Sequence, residues 1–256
     1  MRLENKIAVI TGAGSGMGKA MAEMFVKEGA KVVCADISGK QNEVAAALGD
    51  AAIAIHTDVA KTEDVQKMIQ AAEDHFGRLD VLCNNAGFGG HGVFTERDLA
   101  SDLGMIDLNV KSLVSLSHMV GRDMAARGSG KILNVSSTAA YMPGPLQATY
   151  FATKAFVSSF SQAMDQELRA KGVTVTALEP GFVRTEFAAT ADLEGTGLVK
   201  QTGATPDTVA KYGYDAMQAG KLRAINEGKL RLMLGSIVPM MPRRAVLKMV
   251  QGMQEK

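Results

Sequence analysis

Short runs rich in Val and Ile alternate with longer amphipathic stretches along the whole chain, and this alternation restricts the fold more than any other feature. The apolar runs lie at 7–10, 32–35, 51–55, 81–83, 132–135, 173–178 and 230–234, with helical patterns such as 17–28, 62–76, 99–127 and 150–171 between them. Parallel neighbours in a sheet need a crossover that returns the chain to the same end, and a helix supplies it. Because these crossovers are right-handed, the pattern predicts an α/β, doubly wound, seven-stranded parallel sheet with helices on both faces. Gly29, Gly49, Gly77 and Gly172 follow predicted helices, where a left-handed cap is easiest for glycine.

No repeat, low-complexity tract or Pro/Ser-rich linker interrupts this rhythm, so residues 1–256 read as a single nucleotide-binding domain. The least regular stretch, 186–206, is expected to be a loop over substrate, since a loop of that length in a compact domain is usually functional or mobile. With 28 basic and 27 acidic residues the net charge is +1, which gives no overall field for recruiting nucleic acid. No run of about 20 apolar residues could span a bilayer, and the N-terminus enters a strand pattern at once, so the chain reads as cytoplasmic. Cys34 and Cys83 sit inside apolar runs and read as small buried hydrophobes. The four histidines are far apart in sequence, and no metal site is expected.

The first strand runs directly into Thr11-Gly12-Ala13-Gly14-Ser15-Gly16-Met17-Gly18, within which a helix begins. Glycines there let the backbone turn sharply and bring a helix N-terminus, with open N–H groups, against a pyrophosphate. Asp36 closes the second strand, 18 residues beyond Gly18, near the spacing at which an acid accepts the hydroxyls of an adenosine ribose. A carboxylate there repels a 2′-phosphate and the neighbouring Ile37 carries no compensating charge, so NAD is favoured over NADP; Lys19 and Lys40 keep NADP open. Beyond the third strand, Asp58 and Val59 are candidates for the adenine amino group and ring.

Tyr150 and Lys154 stand four apart at the start of a helix, about 40° apart in azimuth and about 6 Å in rise, with both tips over one face. A free phenol has a pKa of about 10, and bringing it near 7 takes roughly 4 kcal/mol, which an ammonium about 4 Å away could supply. Thirteen residues upstream of Tyr150, Ser137 follows a strand, at the sheet end where such folds bind ligands. Either a plain turn or a hydroxyl aimed at substrate explains Ser137 taken alone.

Taken together, these residues resemble the short-chain dehydrogenase/reductase superfamily. The matching segments are Thr11 to Gly18, Asn84-Asn85-Ala86-Gly87, Asn109, Ser137, Tyr150 to Lys154, and Pro180-Gly181 with Val183 and Thr185. The resemblance implies a Rossmann-type fold and a reaction that moves a hydride between a nicotinamide dinucleotide and a secondary alcohol or ketone. It implies Tyr150 as general acid–base, Ser137 orienting the carbonyl, Lys154 holding nicotinamide ribose hydroxyls, and Asn109 helping to hold a water in a proton relay. It places Gly12, Ser15, Gly16, Met17 and Gly18, and likewise Asn85, Ala86 and Gly87, beside the dinucleotide, with Pro180, Gly181, Val183 and Thr185 near the carboxamide. It also implies a homotetramer or homodimer, with the 99–127 and 150–171 helices at an interface.

Apolar residues near these motifs, Phe88, Val93, Phe94, Tyr141, Met142, Phe182 and Phe187, predict a lipophilic substrate or simply a filled core. His91 reads either as pocket lining or as exposed loop. The C-terminal extension, 237–256, mixes Met, Val and Leu with Arg243, Arg244 and Lys248; subunit packing accounts for it first, and peripheral contact with a membrane surface second. A catalytically silent dinucleotide-binding redox sensor is the alternative function, against which the full set of Ser137, Tyr150, Lys154 and Asn109 argues.

Overall fold

The computed structural model describes residues 1–200 and 203–256. Seven parallel strands form one sheet in the order β3-β2-β1-β4-β5-β6-β7. They are β1 (Ile7–Thr11), β2 (Lys31–Asp36), β3 (Ala52–His56), β4 (Val81–Asn84), β5 (Gly130–Val135), β6 (Val173–Leu178) and β7 (Arg223–Ala224). The strand order reverses between β1 and β4, which opens a crevice at their carboxyl ends. The register aligns those ends: Thr11 lies beside Ala35, Ile10 beside Cys83, Asn84 beside Asn134 and Val135 beside Leu178.

Alternation along each strand sorts the core into two layers. Ala8, Ile10, Val32, Cys34, Leu133 and Leu178 face helices α1 (Gly16–Lys27), α2 (Gln41–Leu48) and α8 (Pro206–Gln218). Val9, Val33, Leu82, Ile132 and Val175 face the other layer, built from α3 (Thr62–Phe76), α5 (Leu113–Arg127) and the far half of α6 (Ala148–Leu168). Cys34 and Cys83 are free and buried, and burial pushes both thiols up, that of Cys34 to about 12.

The structure departs from the sequence reading in three places. The expected strand at 230–234 is helical: α9 (Gly228–Leu232) continues into a π-helical turn, Met233–Ile237, and the seventh strand is the two-residue β7 instead. Leu and Met favour helix, and Leu230, Met233 and Leu234 share one helical face, a spacing that a short apolar run does not distinguish from a strand. The expected continuous helix at 99–127 is α4 (Leu99–Ile106) and α5 joined by a π-helical stretch, Asp107–Ser112. In the 186–206 stretch, the expected loop carries a short helix, α7 (Phe187–Thr190), and Val183 forms a bridge with Ala204. Residues 201 and 202 of that stretch lie outside the described residues. The last helix, α10 (Arg243–Gln254), packs Val246 and Val250 inward.

Thr11 ties the two strands at the reversal. Its hydroxyl donates to the Cys83 carbonyl (3.3 Å) and accepts from the backbone N–H groups of Asn85 (3.0 Å) and Ala86 (3.1 Å). The Asn85 side chain returns the link by donating to the Thr11 carbonyl (2.9 Å). Thr11→Val keeps the shape and strands both N–H groups, so we expect a loss of about 2 kcal/mol in urea unfolding. An unchanged midpoint would show that the β1–β4 junction is held by packing alone.

Candidate active site

The glycine turn is built for close approach. Gly12 has φ of +67°, and a Cβ there would meet the Asn85 amide nitrogen at 2.9 Å; one on Gly18 would lie 2.0 Å from the Gly12 carbonyl oxygen, so α1 can pack against the turn only without a side chain. Ser15 is the N-cap of α1, yet its hydroxyl caps nothing and no acid stands in the first turn. The open N–H groups and positive end of α1 therefore suit a pyrophosphate. Asp36 is held at the end of β2 by the N–H groups of Gly14 (2.9 Å) and Ser38 (2.8 Å).

A cavity of about 420 Å³ opens at the carboxyl edge of the sheet. Of the residues expected from sequence, it gathers Met17, Asn85, Gly87, Ser137, Tyr150 and Lys154, and on its far wall Pro180, Gly181, Val183 and Thr185. The other expected residues do not line it. Gly12, Ser15, Gly16, Gly18, Asp36, Ile37 and Ala86 lie along the turn and strand ends beside it, and Asn109 lies behind Gly87. Val59 is buried in the same layer as Val65 and Met68, while the Asp58 carboxylate accepts from the Ala60 N–H (3.1 Å) and pairs with Lys61 (3.5 Å).

Each polar group in the cavity has a structural anchor. Lys154 is buried and its ammonium donates to the Val135 carbonyl at the end of β5 (3.0 Å). The Ser137 hydroxyl accepts from the Ala139 N–H (3.1 Å), capping the turn Thr138–Tyr141, and Ser137 also lines the cavity. Asn109 sits in the π-helical stretch; its amide donates to the Phe88 carbonyl (2.9 Å) and to the Thr153 hydroxyl (3.1 Å), and its oxygen accepts from the Phe88 N–H (3.2 Å). Both of its amide hydrogens are used, which leaves one lone pair of its oxygen open to a further donor.

The family pattern described as short chain dehydrogenase matches residues 6–194. The chain belongs to the short-chain dehydrogenase family. A 3-oxoacyl-[acyl-carrier-protein] reductase from Synechocystis is 34% identical over 226 residues, covering 86% of this chain and 89% of that protein. Among solved structures, a 3-ketoacyl-(acyl-carrier-protein) reductase from Brucella melitensis complexed with NADH aligns with a TM-score of 0.78 at 34% identity, over 87% of this chain and 96% of that one. A putative NAD(P)-dependent gluconate 5-dehydrogenase from Beutenbergia cavernae, with bound NADP at low occupancy, aligns at 0.79 with 29% identity, over 89% and 97%.

The electrostatics of this dehydrogenase differ from the sequence expectation. Burial pushes the Tyr150 phenol up to about 12, opposed only by the hydrogen bond from Ser137. Lys154 lies 5.7 Å from the centre of the tyrosine ring with its ammonium donating to Val135, and its own burial pushes it down to about 8. Burial therefore outweighs the Ser137 hydrogen bond, and the phenol is raised.

Sequence reasoning also missed much of the substrate wall. Of the apolar candidates, Met142, Phe182 and Phe187 line the cavity; Phe88, Val93, Phe94 and Tyr141 do not, and Val93 and Phe94 are exposed. The remaining wall comes from Leu193 and Leu198 in the 186–206 stretch and from Leu230, Leu234, Met249 and Val250 in the tail. Leu230 and Leu234 were expected in a strand, and nothing in the spacing of the tail residues showed that they face the cavity. His91 lines nothing; its Nε2 meets the Gln254 carbonyl at 2.7 Å and pins the end of α10.

Lys154 makes stability depend on pH. Below about pH 8 it is charged in both states and the cost of burying it is fully present; between about 8 and 10.5 the folded state has lost the proton that the unfolded chain keeps. Unfolding free energy should therefore rise with pH through that window, by about 3 kcal/mol in wild type relative to Lys154→Met. Urea melts of both proteins at matched pH check this. A difference that stays flat would mean that Lys154 titrates as a solvated lysine does.

Proposed function

We propose that this dehydrogenase interconverts a secondary alcohol and a ketone on a lipophilic substrate with NAD(H), with Tyr150 as general acid–base. The observation that carries the reading is the convergence of Ser137, Tyr150 and Lys154 at one side of an apolar cavity whose other side is the nucleotide turn. The dinucleotide, when bound, supplies the hydride acceptor and a positive nicotinamide ring. In the oxidative direction the hydroxyl proton passes to the Tyr150 oxygen as the carbon gives up its hydride; in reduction both transfers reverse. Ser137 orients the substrate oxygen, and Lys154, already desolvated, holds ribose hydroxyls beside it. Since the protein's own groups raise the phenol, phenolate is favoured only when positive charge is added next to it, which couples proton transfer to binding of the oxidised cofactor.

The NAD preference is supported by two ion pairs as well as by Asp36. Lys40, one of the cations that could answer a 2′-phosphate, is paired with Glu186 (3.1 Å), and Lys19 leans toward Glu23 (4.0 Å). Asp58 and Val59, in the loop after β3, keep their assignment to the adenine side. The Synechocystis relative is a 3-oxoacyl-[acyl-carrier-protein] reductase, which supports a ketone carried on an acyl chain and suits the apolar walls. We read the chain as one functional unit, 1–256, in which the 186–206 stretch and the tail close the substrate half. Exposed Leu99, Leu103 and Phe156 on α4 and α6 support a homodimer or homotetramer through those helices. The buried free cysteines suit a cytoplasmic protein, and no described helix is long and apolar enough to cross a membrane.

Tyr150→Phe should abolish NADH-linked turnover of aliphatic ketones while leaving NADH binding, followed by nicotinamide fluorescence, within about twofold. Residual turnover close to wild type would remove Tyr150 from the chemistry. Glu186→Gln frees Lys40 and should raise kcat/KM with NADPH about two- to fivefold while leaving NADH little changed, in keeping with one exposed ion pair. A fall for both cofactors alike would instead show that Glu186 organises the loop.

A further inference from the structure

The helical segment that closes the cavity has a second, outward face. Going from α9 into the π-helical turn and then the short 3₁₀ turn Val238–Met240, the buried residues are Leu234 and Val238, while Leu232, Ile237 and Met240 are 64%, 52% and 87% exposed. The spacing explains this. Five residues make about one turn where the pattern is i→i+5, and three make one turn of 3₁₀, so Leu232, Ile237 and Met240 stack in one outward row. Burying none of three large apolar side chains is costly for a face that meets only water.

Charge surrounds the row. From Gly228 to Gln254 the charged residues are Lys229, Arg231, Arg243, Arg244 and Lys248, with no acid until Glu255. All five are exposed, and among the described residues none is in an ion pair. Arg243 and Arg244 follow Met240 within four residues, and Lys229 and Arg231 immediately precede or flank Leu232, so the cations border the apolar row at both ends. This is a local field in a chain whose overall charge is +1.

We propose that this face docks on an anionic lipid surface. Exposed apolar side chains with exposed cations before and after them in the segment match the layering of a bilayer interface, where acyl chains lie under negatively charged headgroups. A second copy of this chain fits poorly, because two-fold pairing would set five cations against five with no acid within the segment to meet them. A groove partner fits poorly too, since the row protrudes. The inner side of the same segment lines the cavity through Leu230, Met233 and Leu234. Docking would therefore bring the substrate wall to the lipid surface. That consequence for substrate delivery rests on the lipophilic substrate proposed above; the docking itself does not.

The test is co-sedimentation of the full-length protein with phosphatidylcholine vesicles made with and without phosphatidylglycerol, at low and high ionic strength. Wild type should partition onto the anionic vesicles only and be released by salt. Arg243→Gln with Arg244→Gln should weaken binding about 25-fold, about fivefold for each cation lost, and Ile237→Glu with Met240→Glu should abolish it. Thermal melting and NADH binding, measured on the same variants, should match wild type, because none of these side chains lines the cavity. Absence of binding, or equal binding to neutral vesicles, overturns the proposal. So does self-association in solution that Ile237→Glu with Met240→Glu removes, which would assign the face to a second copy. Turnover of a water-soluble ketone reports separately on the reaction and is independent of the vesicle result.

Discussion

A parallel strand cannot be followed by a hairpin to its neighbour, and the site of this protein follows from that constraint. Every crossover returns the chain to the same side, so all seven strands release their carboxyl ends at one edge of the sheet. Thr11, Asp36, Asn84, Val135 and Leu178 all reach that edge, and the loops after them bring the glycine turn, the Ser137 turn and Pro180-Gly181 together. The reversal of order between β1 and β4 separates the first loops enough to leave a crevice. Thr11 keeps that crevice from spreading by joining both strands through one hydroxyl.

The edge is tied together by hydrogen bonds between buried polar groups. Asn84 donates to the Ser117 hydroxyl (3.1 Å) and to Asn134 (2.9 Å), and Asn134 donates to the Ser161 hydroxyl (2.9 Å), so β4, β5, α5 and α6 are joined through the interior. Glu179, fully buried just before Pro180, accepts from Tyr141 (2.5 Å), from Ser158 and from Arg223 (3.2 Å). It thereby links the Ser137 turn, the helix that carries Tyr150 and Lys154, and β7. Removing one member would leave the others desolvated without partners, which is why such networks hold positions more strictly than apolar packing does. Lys154 is the exception: a desolvated cation with a single carbonyl partner, a cost that makes sense where the charge is needed for another molecule.

The tail and the 186–206 stretch complete what the sheet begins. The N–H of Leu198 donates to the Met253 carbonyl, Lys256 pairs with Asp192 (2.6 Å), and Gln147 donates to Gln254 (2.5 Å), so lid, tail and the start of α6 close on one another. The result is a cavity with polar groups on the sheet side and apolar ones on the outer side, and its outer wall is one helix thick. That thinness gives the tail two environments, one facing the cavity and one facing away from the protein.

The alternation of short Val and Ile runs with longer helical stretches and the placement of the glycines from Gly12 to Gly18 determined the parallel sheet and its nucleotide turn, because these depend on local geometry and chain connectivity. Tyr150, Lys154 and Ser137 were legible for a similar reason, two on one helix face and one after a strand, whereas Asn109, inside the π-helical stretch, was legible only through the family resemblance. Tertiary structure decided the rest. Whether 230–234 was strand or helix depended on a cavity that only the folded chain creates, since an apolar run of that length suits either. Lys40 could answer a phosphate until Glu186, far along the chain, was brought to it. The direction of the Tyr150 shift depended on how deeply the ring is buried and on where Val135 draws the lysine, and burial is a property of the whole fold that no spacing encodes.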